Sequence, residues 1–207
     1  MSGSDDSRNI TRAVLAREAA RKGIHLTSCA VPALLSIGIA REIVAAVLAA
    51  LFAIAIVVEV ARHRSAAIAS RFTRLFAPLL RDRELTHVTG ATWMLGALFA
   101  AVVFLRRDAA IAATWAVAVG DASAALIGIR FGRRRGATST KTFEGSAACA
   151  IVSAIGALLL ARMSVGEAAT LGIIAALAER APGSIDDNAR IVTLVGGAAW
   201  LWSVASY

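Results

Sequence analysis

Seven runs of mostly apolar residues, divided by short charged stretches, dominate the chain: 23–39, 42–61, 87–105, 109–129, 145–161, 165–181 and 191–206. A helix rising ~1.5 Å per residue needs about 20 residues to cross a hydrocarbon layer ~30 Å thick. Several runs lie near the lower limit, so short, tilted or broken helices are expected. Inside a bilayer every backbone N–H and C=O needs an internal partner, and helices supply it one segment at a time. The pattern predicts an all-α, polytopic integral membrane bundle of about seven transmembrane helices. Composition points the same way, with 58% hydrophobic and 17% charged residues, where soluble domains carry about 25% charged. Such a chain is neither a disordered polymer nor a disulfide scaffold. Cys29 and Cys149 both fall in apolar runs and read as small core residues.

Residues 1–8 are expected to form a disordered tail ahead of a single transmembrane domain over 9–207, and Met1–Asp6 does not read as a signal peptide. The net charge of +8 is distributed unevenly. With the N-terminus on the cytoplasmic side, eighteen of the 22 Lys and Arg fall in cytoplasmic stretches and four, Arg41, Arg106, Arg107 and Arg162, on the opposite face. That bias is the positive-inside pattern, together with attraction to anionic lipid, and no nucleic-acid partner is expected. An odd number of spans places the C-terminus opposite the N-terminus. Over Ser65–Arg81, the residues Ile68, Phe72, Leu75, Phe76 and Leu79 share one face, with Arg71, Arg74 and Arg81 between them. This predicts an amphipathic helix lying on the cytoplasmic membrane surface.

A charge inside a spanning helix is costly and faces a partner or a cavity. Asp121 is such a charge, within the run 109–129, and Gly120, Ala124, Gly128 and Gly132 follow a small-residue stripe beside it. The stripe suits close helix packing. The next loop gathers Arg130, Arg133, Arg134, Arg135 and Lys141 with glycines and hydroxyls, and a helix starts near Thr142. Such a loop either neutralises phosphate or only sets topology. It lacks the Walker A pattern. Glu179, then Asp186, Asp187 and Asn188 after the Pro182-Gly183 stop, offer oxygens suited to Mg2+, or simply a solvated turn. Glu18, Arg21, Lys22 and His25 share one face of the first helix. All these groups lie on the cytoplasmic side of the topology, where a nucleotide arrives from water and a lipid head group from the bilayer.

Together these residues resemble a known family. Gly120-Asp121-Ala122-Ser123, Gly128 and Gly132-Arg133, then Lys141-Thr142-Phe143-Glu144-Gly145, then Glu179 and Asp187-Asn188, are similar to the polyprenol kinase family of dolichol, phytol and CTP-dependent diacylglycerol kinases. Arg21-Lys22-Gly23-Ile24-His25 and Thr89-Gly90-Ala91-Thr92-Trp93 match two further elements. The resemblance implies a kinase that moves the γ-phosphoryl group of CTP to the hydroxyl of a membrane isoprenoid alcohol or diacylglycerol. It further implies a catalytic group of Asp121, His25, Lys22 and Arg21. Nucleotide contacts fall to Gly128, Gly132, Arg133, Lys141, Thr142, Glu144 and Gly145. Asp121, Asp187, Asn188 and Glu179 would hold Mg2+, and either His25 or Asp121 would accept the hydroxyl proton. The middle block also resembles CDP-diacylglycerol synthases, whose later acidic element is replaced here by Pro182–Asn188. A lipid-binding scaffold or transporter is the alternative outside enzymes, and a transporter would more often show repeated halves.

Overall fold

The computed structural model describes residues 17–133, 141–183 and 186–205, and the expected tail over 1–8 lies outside them. Among the described residues every regular element is helical, as the sequence predicts. The order is α1 (17–27), α2 (Ala30–Ser36), α3 (Arg41–Arg64), α4 (Ala66–Phe76), a 3-10 turn (Asp82–Leu85) and α5 (Gly90–Phe104). Then come α6 (Arg107–Trp115), α7 (Asp121–Phe131), α8 (Phe143–Leu159), α9 (Val165–Arg180) and α10 (Asp187–Ala205). A π-helical turn, Ala116–Gly120, joins α6 to α7 without a break.

Among the described residues two helices are long and apolar enough to cross a membrane: Arg41–Arg64 and the continuous Arg107–Phe131. α5 and α8 are apolar but shorter. The run 23–39, expected as one segment, is two helices. Thr27 and Ser28 turn their hydroxyls back onto the carbonyls of Ile24 and His25, each at 2.6 Å. Side-chain bonds of this kind compete with the helical ladder. Pro32 then sits in the first turn of α2, where a missing N–H is harmless. Beyond α2 the chain turns at Gly38, whose φ of 94° favours glycine, and the Arg107 guanidinium donates to the carbonyls of Leu35 and Ile39 at 2.7 Å.

The interior is built on the α6–α7 rod, in which Ala109–Thr114 are all buried. α10 packs against α9, α5 and α6, α8 against α7 and α9, and α3 against α5. Small residues set these distances. A methyl group at Gly156 would lie 2.0 Å from the Trp115 ring, and the Trp115 indole donates to the Val152 carbonyl at 2.9 Å. Helix packing as close as this holds a bundle together even where the surroundings are as apolar as leucine. Of the amphipathic helix expected over Ser65–Arg81, α4 forms the first part, capped by Ser65 with no residue fully buried, and it ends at Phe76, so that Leu79 and Arg81 lie in the turn beyond it.

Candidate functional site

A cavity of about 510 Å3 lies among α1, α3, the α4 region, α5 and the start of α10. Its character changes along two of its walls. On α3 it runs from Glu59 to Val58 and Ala55, and on α5 from Gly90 and Thr92 to Met94, Leu95 and Leu98. At ~1.5 Å per residue, Gly90 to Leu98 is a step of about 12 Å from polar to apolar lining. Phe72, Phe76, Leu79 and Leu80 close the apolar part.

The polar part is anchored by Asp121, the first residue of α7, which follows directly on the π turn. Gly120 brings that point against α8: a Cβ there would be 2.3 Å from Ser153 Oγ. From α1, the buried Lys22 ammonium donates to Asp121 Oδ2, and His25 Nδ1 lies 3.5 Å from the same oxygen. Arg21 is half-buried and pairs with Glu18 at 2.7 Å, which also takes Arg81 at 3.3 Å. The expected catalytic group is therefore brought together, with Arg21 one step removed from Asp121 in its contacts.

A second cluster joins three further sequence-predicted residues. Lys141 Nζ lies 2.9 Å from Glu179 and 3.3 Å from Asp187, and also donates to the Glu179 carbonyl. Burial works against the Asp187 charge, but Lys141, with help from Arg81, holds the carboxyl below its usual range. Burial likewise opposes the Lys141 charge, and Glu179 with Asp187 reverse that and raise it. Thr142 caps α8 by accepting the Gly145 N–H at 3.1 Å.

Gly128, Gly132 and Gly145 all serve the contact between α7 and α8. Added Cβ atoms would lie 2.9 Å from Thr142 Oγ1, 2.4 Å from Thr142 Cγ2 and 2.5 Å from the Ala124 carbonyl oxygen, respectively. Arg133 is exposed just beyond α7, and Glu144 is half-buried in the first turn of α8. Residues 134–140, with Arg134 and Arg135, lie outside the described residues.

Three site residues, Glu59, Arg62 and Glu84, escaped the motif reading, and Asp186, read there only as one of a pair of acids, joins them in the structure. Glu59 Oε1 accepts from the Thr89 N–H at 2.9 Å and the Thr92 hydroxyl at 3.1 Å, while its Oε2 pairs with Arg62 at 2.6 Å. Arg62 in turn donates to the Glu84 carbonyl at 2.9 Å. The buried Glu84 carboxylate accepts the Gly90 N–H at 2.9 Å and the Arg81 N–H at 2.9 Å. Asp186 Oδ1 accepts from Asn188 Nδ2 at 2.7 Å and from the Asn188 N–H at 3.0 Å. Burial pushes the Asp186 carboxyl upward, the Asn188 N–H opposes that, and the Asp187 charge adds to it. The signal for Glu59 was present: an acid inside an apolar run, with a base three residues later, needs a buried partner.

The implied Mg2+ ligands divide between these clusters. Asp121 is engaged by Lys22 and His25, and Glu179 and Asp187 by Lys141. Asn188 Oδ1 is buried and accepts no hydrogen bond. Among the described residues no group of three or more His, Cys, Asp or Glu side chains is gathered as a metal cage. Mg2+ needs only one or two carboxylates, with water and phosphate completing its shell. The orphaned Asn188 oxygen beside Asp186 fits such an ion. No protein-family model, curated protein or solved structure matches the chain.

Proposed function

We propose that this chain is a membrane-embedded kinase that phosphorylates a lipid alcohol, with CTP as donor. One observation carries the reading: a single cavity runs from a buried Lys22–Asp121–His25 cluster into an apolar chamber. A hydroxyl on a hydrocarbon chain has that polarity. The motif resemblance supplies the donor and the reaction type.

In this reading the alcohol oxygen attacks the γ-phosphorus of CTP. An oxygen–phosphorus bond forms, the bond from the γ-phosphorus to the β,γ-bridging oxygen breaks, and CDP leaves. Phosphoryl transfer depends mainly on positioning and charge neutralisation. His25 is the group to take the hydroxyl proton. Asp121 is already engaged by Lys22, while His25 lies against the cavity with Nδ1 toward Asp121 and no described partner at Nε2. A histidine held this way by a carboxylate presents a defined ring nitrogen as base. Arg21, Arg133 and Lys141 supply positive charge for the triphosphate. A bound divalent cation would add charge neutralisation at the phosphates, held from the Asp186–Asn188 side of the cavity.

The seven-span arrangement, in the cytoplasmic membrane with the N-terminus and the site facing the cytoplasm, belongs to the same proposal. Only 17% of the apolar stretch of α3 is buried, against 67% for Arg107–Phe131. Exposed apolar side chains continue onto α8, α9 and α10, at Ile155, Ile173 and Leu201 for example. An apolar outer surface of that extent suits hydrocarbon rather than water.

The test is to incubate purified protein with labelled CTP and a panel of isoprenoid alcohols and diacylglycerol. The expected products are CDP and a lipid monophosphate, and Asp121→Asn should lower turnover by orders of magnitude. Pyrophosphate release from CTP and phosphatidic acid would instead indicate a cytidylyltransferase. No nucleotide turnover with any lipid would leave a scaffold or a transporter.

A further inference from the structure

We infer that Glu84, Asp186 and Asn188 form a binding site for one hard divalent cation of the Mg2+ class on the cavity wall. Two independent observations meet there. The first is the convergence of two carboxylates at Gly90, at the start of α5. A methyl group at that position would press on Glu84 Oε1 at 3.0 Å and stand 3.8 Å from Asp186 Oδ2, so an oxygen of each carboxylate turns toward the same point beside the glycine. The second is Asn188, which is 6% exposed and lines the cavity. Its Nδ2 is committed to Asp186 Oδ1 at 2.7 Å and the Gly90 carbonyl at 3.3 Å, which leaves Oδ1 buried and without a donor. A buried carbonyl oxygen rarely stays unpaired, and a missing ion is one established reason.

The donor set is two carboxylates and an amide, all hard oxygens, with neither sulfur nor imidazole. An ion of this class takes few protein ligands and keeps several waters, which the adjoining cavity can hold. Three groups compete for the same oxygens. The Gly90 N–H and the Arg81 N–H occupy one lone pair on each Glu84 oxygen. The Arg83 guanidinium stands 3.7 Å from Asp186 Oδ2 on a side chain that is 54% exposed, so it can withdraw to water. Asp121 and Asp187 stay outside the set because Lys22 and Lys141 hold them.

The inference deepens the kinase reading and rests on it for the ion's role, while ion binding is measured with neither nucleotide nor lipid alcohol present. Mn2+ is titrated into the full chain in phosphatidylcholine nanodiscs, and the loss of the free-ion resonance signal is followed. One Mn2+ per chain, displaced by Mg2+, is expected. Asp186→Asn and Glu84→Gln should each weaken binding roughly tenfold or more, as loss of a metal-site partner does. Gly90→Ala crowds Glu84 Oε1 without removing a ligand and should do the same. Asp82→Asn removes a nearby exposed charge and should leave the affinity unchanged. If Asp186→Asn does not fold, Gly90→Ala decides, because it keeps all three ligands and both N–H contacts of Glu84.

Absence of saturable Mn2+ binding, or wild-type affinity in both Glu84→Gln and Gly90→Ala, overturns the site. So does a greater loss in Asp187→Asn than in Asp186→Asn, which would move the ion to the Lys141 cluster. Lipid phosphorylation by a protein with no such ion site would refute this inference alone. Stoichiometric binding in a protein that never turns over CTP would refute the kinase reading alone.

Discussion

Lys22 and Asp121 are 4% and 3% exposed, so each is the other's main substitute for water. Removing one member of a buried pair strands the other, at a cost of about 3–5 kcal/mol. Lys22→Met should therefore lower the melting temperature sharply in detergent, and Lys22→Met combined with Asp121→Asn should recover part of the loss. Equal melting temperatures for the single and double variants would remove the pair from the account of stability. Asp121 was legible because it interrupts an apolar run, and Glu59 obeys the same rule near the end of its own run. Glu84 and Asp186 were not legible as partners, because their meeting at Gly90 depends on how α5 and α10 pack. Glycines were ambiguous for a similar reason, since the sequence does not say what faces them. Gly156→Ala, against Trp115, should cost about 1–3 kcal/mol of overpacking. Gly197 meets nothing within 4 Å, and Gly197→Ala should be neutral or gain up to about 1 kcal/mol of helix propensity. Thermal melts of the two variants side by side check both.

At the level of elements, the apolar runs predicted α3, α5, the α6–α7 rod and α8 to α10 within a few residues. The break at Ser28–Cys29 was not legible, because hydroxyl groups that bond back to a helix have no fixed signature and the run stays apolar. The π turn was equally silent. A π turn holds one residue more than the α-helical path and marks functional sites often, and here it ends at Gly120, directly before Asp121. Deleting Val119 should let the turn relax to α geometry while α6 and α7 keep their faces. Deleting Ala125 inside α7 has no such outlet and rotates the rest of the helix by about 100°. The first deletion should retain a cooperative melt and the second lose it. Similar damage from both would mean that the extra residue is not absorbed there.

For the whole molecule, the sequence predicted seven spans, and two helices among the described residues reach spanning length and apolarity. α5, α8 and α9, at 15, 17 and 16 residues, are shorter than a level crossing requires, and length alone does not decide their path. A short helix crosses by thinning the bilayer or by placing its flanking charges at the interface. The proposed topology puts residues 5 and 135 on one side and residue 207 on the other. Reporter fusions at these positions should follow that pattern. Opposite sides for 5 and 135 would separate α1 from the Lys141 loop and dissolve the common site.

The contact of Gly132 with Thr142 has a consequence for how such a chain tolerates change. It clasps the two ends of the α7–α8 connection, so the bundle no longer relies on the length of chain between them. Doubling a closed loop costs only about 0.6 kcal/mol in entropy. A peptide tag grafted between Arg133 and Lys141 should leave the melting temperature nearly unchanged. New sequence can be tried at this point while the helical frame stays fixed, and the frame can vary in sequence while the graft stays constant.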